Sequence, residues 1–514
     1  MHWFDDWALT LAVFIPLVGL AAVLFIPRAQ EQAIKVTALI ASVATLAVGI
    51  AILADFNFGN GGKLQFTVDK SWIQVIKARY HMGIDGIALP LLLLSMLIVV
   101  LCVVYSWNHF PEPHNPKAFL ALVLLLEVGM NGTFTAQDLI LFFVFFEVVL
   151  LPMFFMIGVW GGPNRQYAAI KFFLFTLFGS ALMLVSFLAI FFLSKHQTFQ
   201  IPDLARLGGV GIAQGTQALV FGGLFLGFAI KVPMFPFHTW LPDAHTEAPT
   251  VGSVLLAAIM LKLGAYGFIR IALPILPTAA RTWAPWIGLL AVIGIIYGAL
   301  CCLAQRDMKR LIAFSSVAHM GFVMLGIATL TKFGINAAIF GMVAHGLITG
   351  MLFFLAGSIQ ERYGTREMSR LGGLLTQAPK LGWILGFCVM ASLGLPGLAG
   401  FWGEFPAILS AYNPAKLTEG LLNGDPLLTF RIFMVVAAIG TILAAGYLLW
   451  MYQRVAFGTV KAEFESAHIH DVHVPEWIAW VPLLLLIAAL GIYPDLVFHI
   501  TNGAVSNVTR VFGG

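Results

Sequence analysis

Apolar stretches of about twenty residues, the length an α-helix needs to cross a bilayer, recur about fourteen times along this chain. They fall near 7–27, 34–54, 84–107, 117–135, 138–160, 167–193, 217–236, 250–275, 283–304, 308–330, 334–359, 381–399 running on to 413, 428–457 and 475–499. The runs are continuous rather than alternating, which argues against a sheet-built membrane barrel. Of the 514 residues, 60% are hydrophobic and 10% charged, where a soluble domain carries about 25% charged residues. That much apolar surface exceeds what a water-soluble core can bury. The expected fold class is therefore an all-α polytopic membrane protein with about fourteen transmembrane helices, and an even number places both termini on one side.

The chain reads as a single membrane domain, 1–514. N-terminal helices occupy 1–116, five spans lie in each of 117–275 and 283–457, and a C-terminal helix covers 475–499. The start, Met1-His-Trp-Phe-Asp-Asp, lacks the basic residues of a secretory signal, so Trp7–Pro27 is expected to be a retained span. Loops are short and leave no room for a soluble domain. The longest, Asp55–Gly83, carries Gly59-Asn60-Gly61-Gly62 and has room for a small hairpin. Arg306, Lys309 and Arg310 follow the ninth span, and Arg362, Arg366, Arg370 and Lys380 follow the eleventh. The positive-inside rule assigns both loops to the cytoplasm and both termini to the outside, although Lys63, Lys70, Lys77 and Arg79 then also lie outside. The net charge of +4 is small for this length and points to no nucleic-acid partner. Cys102, Cys301, Cys302 and Cys388 lie in or beside apolar runs without C-x-x-C spacing, and read as small core residues.

Two spans are interrupted. In the stretch Leu226–Arg270, Pro233 and Pro236 cannot donate to the carbonyls of Ala229 and Val232. The apolar helix that begins there gives way to a polar turn, His238–Thr250, before a second apolar run resumes. The other break is Ser392–Glu404, where Pro396 cannot donate to Ser392 and Gly397, Gly400 and Gly403 weaken the remaining helix. Irregular backbone at membrane depth is tolerated only where it is buried in protein or lines a cavity. Paired interrupted helices in corresponding halves point to a transport site. Each break is preceded by an unbroken helix carrying an isolated ionisable residue: Glu147 for the first and His319 for the second. The separations Glu147–Lys231 and His319–Glu404 are 84 and 85 residues. Five spans per half force two such repeats to insert in opposite directions, so the fold is expected to hold two inverted five-helix repeats and two broken helices.

The ionisable groups inside the apolar runs are Glu147, Lys231, Lys262, His319, His345 and Glu404. A central lysine costs about 2.5–3.5 kcal/mol on insertion scales, which favours function over ornament. Each has a plainer reading: a carboxyl bonded to a neighbouring helix, a lysine snorkelling to the interface, or a histidine satisfied in the core. Lys262 lies far from either end of its span, which weakens the snorkelling reading. Desolvation and like-charge repulsion, opposed by a nearby carboxylate, leave a group that can load and release a proton when a partner moves. His319 and His345 fall between Lys262 and Glu404 in the chain and suit relay points. Glu127 is a further intramembrane acid whose role the sequence does not define. His238, Asp243, His245 and Glu247 resemble metal ligands by type, but Pro242 and Pro249 spoil helical ligand spacing, so a hydrogen-bonded turn is expected. His468, His470 and His473 read as a solvated loop face. No phosphate loop, dinucleotide fingerprint or nucleophile elbow is present, so no nucleotide-driven transport or bound redox cofactor is expected. No metal site is expected either.

The run KVPMFPFHTWLPDAHTEAPTVGSVLLAAIMLKLGAYGFIR, together with LGLPGLAGFWGEFP and the pair His319/His345, closely resembles the antiporter-like subunit family of respiratory complex I, the proton-translocating NADH–quinone oxidoreductase. The likeness covers nearly the whole chain. The largest subunit of that family would have a lysine where Glu404 stands and a long lateral helix after the fourteenth span, whereas this chain runs about fifteen residues beyond its last expected span. The resemblance implies a bacterial inner-membrane protein that translocates protons, with Glu147 paired to Lys231, Lys262 feeding His319 and His345, and Glu404 passing the proton onward. It also implies that NADH, flavin, iron–sulfur clusters and quinone are bound by other subunits, with neighbouring antiporter-like subunits as partners. The alternative reading is a subunit of a multisubunit cation–proton antiporter, which would require oxygen ligands for a cation at a break, where this chain has mostly lysines.

Overall fold

The computed structural model describes residues 2–513. The chain opens with helices α1 (His2–Phe25) and α2 (Glu31–Asp55), followed by an antiparallel hairpin of β1 (Gln65–Ile73) and β2 (Ala78–Ile84). Next come α3 (Ala88–Tyr105), α4 (Pro116–Thr135), α5 (Leu139–Trp160), α6 (Arg165–Leu193), α7 (Gln214–Lys231) and α8 (Thr250–Ile275). The second half holds α9 (Pro277–Leu303), α10 (Met308–Ala328), α11 (Lys332–Tyr363), α12 (Pro379–Ser392), α13 (Ala399–Ser410), α14 (Pro426–Ala456), α15 (Val474–Ile492) and α16 (Asp495–Thr509). Among the described residues, twelve helices are long and apolar enough to cross a membrane. The two expected spans outside that set are the interrupted ones, α7 and the pair α12/α13. The last span ends earlier than the sequence pattern implied. It stops at Ile492 rather than near residue 499, because Pro494 cannot continue the α15 hydrogen-bond ladder, and α16 begins as a separate helix at Asp495.

Loop residues close the helix ends, since a backbone N–H left unpaired near lipid is costly. Asn115 accepts from the N–H of Ala118, Asp138 from Ile140 and Leu141, Asp307 from Arg310, Thr331 from Gly334 and Asp425 from Leu427. Pro116 and Pro426 stand at first-turn positions, where a missing N–H costs nothing. The hairpin is strapped across one end of the bundle. Its backbone N–H of Arg79 donates to Asp138 at 3.1 Å, Gln137 N–H donates to the carbonyl of His81 at 2.8 Å, and the hydroxyls of Tyr80 and Thr10 meet at 2.9 Å. On the same side α16 lies against the preceding turn, with Asn507 donating to the carbonyl of Gly62 at 2.6 Å.

Burial sorts the helices into an outer ring and a centre. Val18, Phe178, Val185 and Ile442 are exposed on α1, α6 and α14, as apolar side chains facing lipid or neighbouring subunits should be. The most hydrophobic stretches of α10 and α11 are completely buried, and that of α8 nearly so. These three innermost helices carry His319, His345 and Lys262. In α8 the lysine is bracketed by two π-helical turns, Leu256–Met260 and Phe268–Ala272, a departure from regular helix that concentrates at functional sites.

Candidate functional site: a line of buried ionisable groups

Both breaks fall where the prolines and glycines predicted them. After α7 the carbonyl of Ala229, which Pro233 cannot reach, accepts instead from Met234 N–H at 2.8 Å, and the carbonyl of Ile230 accepts from the Trp240 indole at 2.9 Å. A short helix, Trp240–Glu247, then crosses to α8. Between α12 and α13, Gly394 and Gly397 adopt φ of +80° and +95°, a conformation that L side chains rarely take. A Cβ at Gly394 would stand 3.3 Å from Glu404 Oε2, so the break also makes room for the carboxylate.

Four of the six singled-out groups form a connected line. The Lys262 ammonium is wholly buried, donates to His345 Nδ1 at 2.7 Å and donates also to the carbonyl of Ala257 in the first π turn. The rings of His345 and His319 lie with centroids 6.0 Å apart. His319 Nδ1 donates to Glu404 Oε1 at 2.5 Å, and the hydroxyls of Ser392 and Tyr447 each lie 3.3 Å from His319 Nε2. A cavity of about 20 Å³ sits between the two rings, bounded also by Thr349, Ser392 and Glu404. That is room for about one water molecule, which suffices to bridge the only gap in the line. The spatial order is Lys262, His345, His319, Glu404, so the two histidines are used in the reverse of their order in the chain.

The first half is less tightly joined. Lys231 is buried and does not snorkel. Its ammonium rests 4.8 Å from the centroid of the Phe146 ring, a cation–π contact, and makes no direct ion pair with Glu147. The pairing with Glu147 that the family resemblance implies is therefore not a contact ion pair among the described residues, and Glu147 stands one residue from the contacting ring on α5. On α5 the helical ladder lapses at Val149, two residues after Glu147, because Pro152 cannot donate to Val148. The stretch expected as a polar turn is mostly the short helix Trp240–Glu247, whose Pro242 falls in the first turn, where a missing N–H is tolerated. It is tied by ion pairs of Asp243 with Lys171 at 2.7 Å and Arg310 at 3.7 Å, and Glu247 accepts from the N–H of Asn164 at 2.9 Å. His245 is fully buried and stacked on Phe353, with both ring nitrogens unpartnered. Glu127 is fully buried on α4, and neither carboxylate oxygen has a partner among the described residues.

Several polar groups escaped the sequence reading. Ser392 and Tyr447 touch His319, yet a hydroxyl within a span is too common to attract notice. Lys309, counted as a loop charge, is buried and donates to the carbonyl of Ala248. Arg270, near the far end of α8, pairs with Asp85 just ahead of α3 at 2.5 Å. Its only signal was an arginine inside an apolar run.

Comparison with known proteins assigns the family and the fold. Residues 136–424 match the family described as NADH:quinone oxidoreductase/Mrp antiporter, TM, and residues 11–133 match NADH-ubiquinone oxidoreductase chain 4, amino terminus. NADH-quinone oxidoreductase subunit M of Rhodobacter capsulatus is 39% identical over 98% of this chain and 96% of its own length. The chain belongs to the NADH-quinone oxidoreductase subunit M family. NADH-ubiquinone oxidoreductase chain 4 of Chondrus crispus, 38% identical over 95% of this chain and 94% of its own, extends that membership to the chain 4 proteins. Among solved structures, a chain of respiratory complex I from Thermus thermophilus with bound NADH superposes with a TM-score of 0.85 at 29% identity, covering 98% of this chain and all of that one. A chain of the Mrp complex from Dietzia sp. DQ12-45-1b shares the fold, with a TM-score of 0.83 at 20% identity and coverage of 99% and 98%. This subunit M family member therefore has the antiporter-like membrane fold throughout its length.

Proposed function

We propose that this chain is the antiporter-like membrane subunit of a bacterial NADH–quinone oxidoreductase and moves protons across the inner membrane while electron transfer runs in partner subunits. The observation that carries the reading is the line Lys262–His345–His319–Glu404, in which every step is a hydrogen bond or a one-water gap. Lys262 is the central donor, the two histidines relay, and Glu404 delivers the proton toward the far side or a neighbouring subunit. Lys231 and Glu147 act by charge. Not joined in a contact ion pair, they can approach or part as a neighbour moves, and the field at Lys262 changes with them. A tenfold shift in protonation requires about 1.4 kcal/mol of such coupling.

Two five-helix repeats of opposite orientation, 117–275 and 283–457, would each contribute one broken helix. NADH, flavin, iron–sulfur clusters and quinone belong to the partners in this reading, and this chain supplies the proton path. The basic loops bearing Arg306, Arg310, Arg366 and Arg370 face the cytoplasm, and both termini face the periplasm. The test uses Lys231→Ala and Glu404→Gln in native membranes, with NADH–quinone electron transfer and proton uptake recorded together and artificial-acceptor NADH oxidation reporting assembly. Both coupled activities should fall about tenfold or more while the artificial-acceptor rate survives. Wild-type rates in both variants would sink the relay and return the chain to the antiporter reading.

A further inference from the structure

A crevice of about 670 Å³ lies away from the proton line, between the turn joining α1 to α2, the start of α4 and the end of α5. Its two ends differ in chemistry. Arg28, His114 and Lys117 form the rim. Lys117 is held there by donating to the carbonyl of Ile26 at 2.7 Å, and Arg28 is exposed, with no ion pair or side-chain hydrogen bond among the described residues. The acid on this rim, Glu31, is already bonded to Lys35 at 2.6 Å and to His114 at 3.0 Å. Helices α2 and α4 both begin at the rim, and their first turns add positive potential. Below the rim the wall is Leu122, Phe155, Val159 and Trp160. Phe155 and Val159 are exposed outward from α5, and the Trp160 indole donates to the carbonyl of Pro113 at 2.8 Å, as a tryptophan at the membrane interface does.

We infer that this crevice is a binding site for an anionic glycerophospholipid, its phosphate on Arg28 and Lys117 and one acyl chain along Leu122, Phe155 and Val159. The apolar wall, open to hydrocarbon directly below a cationic rim, fits a molecule with both parts and gives free phosphate nothing to cover it. The sign of the rim selects among lipids. The ammonium of a zwitterionic headgroup would meet Arg28 and Lys117 as like charges, and Glu31 has two cations already. Basic pockets between transmembrane helices on the cytoplasmic side recognise anionic headgroups by this logic. The inference does not depend on the proton relay.

The test reconstitutes the purified complex in vesicles containing phosphatidylglycerol or phosphatidylcholine with a photoreactive diazirine on one acyl chain, and maps adducts by mass spectrometry. The expected result is labelling of the segment from Leu150 to Trp160 by the glycerol lipid about tenfold above the choline lipid. Arg28→Gln should lower that labelling several-fold and Arg28→Gln with Lys117→Gln should abolish the preference. Arg28 is exposed, so its variant reads binding rather than folding, and artificial-acceptor NADH oxidation reports assembly for both. Equal labelling by the two lipids, labelling unchanged in both variants, loss of labelling to millimolar inorganic phosphate, or adducts replaced by a crosslinked neighbouring subunit would each overturn the assignment.

Discussion

His319 uses both ring nitrogens, one on Glu404 and the other facing two hydroxyls. Ser392 and Tyr447 can each donate or accept, so Nε2 can gain a proton, or keep one while Nδ1 passes its own to Glu404, without leaving a buried polar atom unpaired. This redundancy gives a graded expectation. Ser392→Ala or Tyr447→Phe alone should lower coupled proton uptake a few-fold at most, because one hydroxyl remains. The double variant should lower it about tenfold or more, with artificial-acceptor NADH oxidation unchanged. A double variant with wild-type proton uptake would show that the hydroxyls are bystanders, and a single variant as impaired as the double would refute the redundancy. At this scale the sequence singled out six ionisable residues, each isolated in an apolar run, and four of them meet in the structure. It was silent on their contacts. The reversed order of His345 and His319, and the seating of the Lys231 ammonium over the Phe146 ring, depend on helix rotations that periodicity leaves undetermined. Glu127 could be recognised as an intramembrane acid, but its lack of a partner is a fact of packing.

Elements meet most closely where glycines allow it. A Cβ on Gly403 of α13 would lie 2.5 Å from the Gly341 Cα of α11, and the atom in the way is backbone. Gly403→Ala must part these helices one residue from Glu404. A cost of about 1–3 kcal/mol is expected, seen as a lower thermal midpoint of the purified complex, together with reduced proton uptake as Glu404 moves from His319. An unchanged midpoint would mean that the crossing is looser than described. At the opposite end of α11, Arg362 reaches Glu476 of α15 at 2.6 Å, with side chains 8% and 0% exposed. Glu476→Gln alone should destabilise by about 3–5 kcal/mol, whereas replacing both partners by methionine and leucine should recover most of the loss. The sequence pattern located both interruptions because proline and glycine leave a direct signature in the hydrogen-bond ladder. It missed the early end of α15, where a single Pro494 after an apolar run looked like a continuing span.

As a whole the molecule is a thick bundle with one strapped face and one basic face. Its helices could be counted from hydropathy because lipid sets a minimum length; which of them sit at the centre could not, because outer and inner spans are almost equally apolar. The assigned orientation is checked by single cysteines in place of Lys63 and Arg370. In right-side-out membrane vesicles an impermeant thiol reagent should label the first and spare the second, and the reverse pattern would invert the topology. The contact of Asn507 with Gly62 joins residues 445 apart, and this separation has a meaning in time. At roughly 5–20 residues per second of synthesis, the turn ahead of the hairpin waits about 20–90 s after emerging before the segment that covers it exists. The strapped face is therefore the last to close during biogenesis, and a chain ended after Pro494 should show faster amide exchange around Gly61 and Gly62, the residues α16 lies against, than the full-length chain.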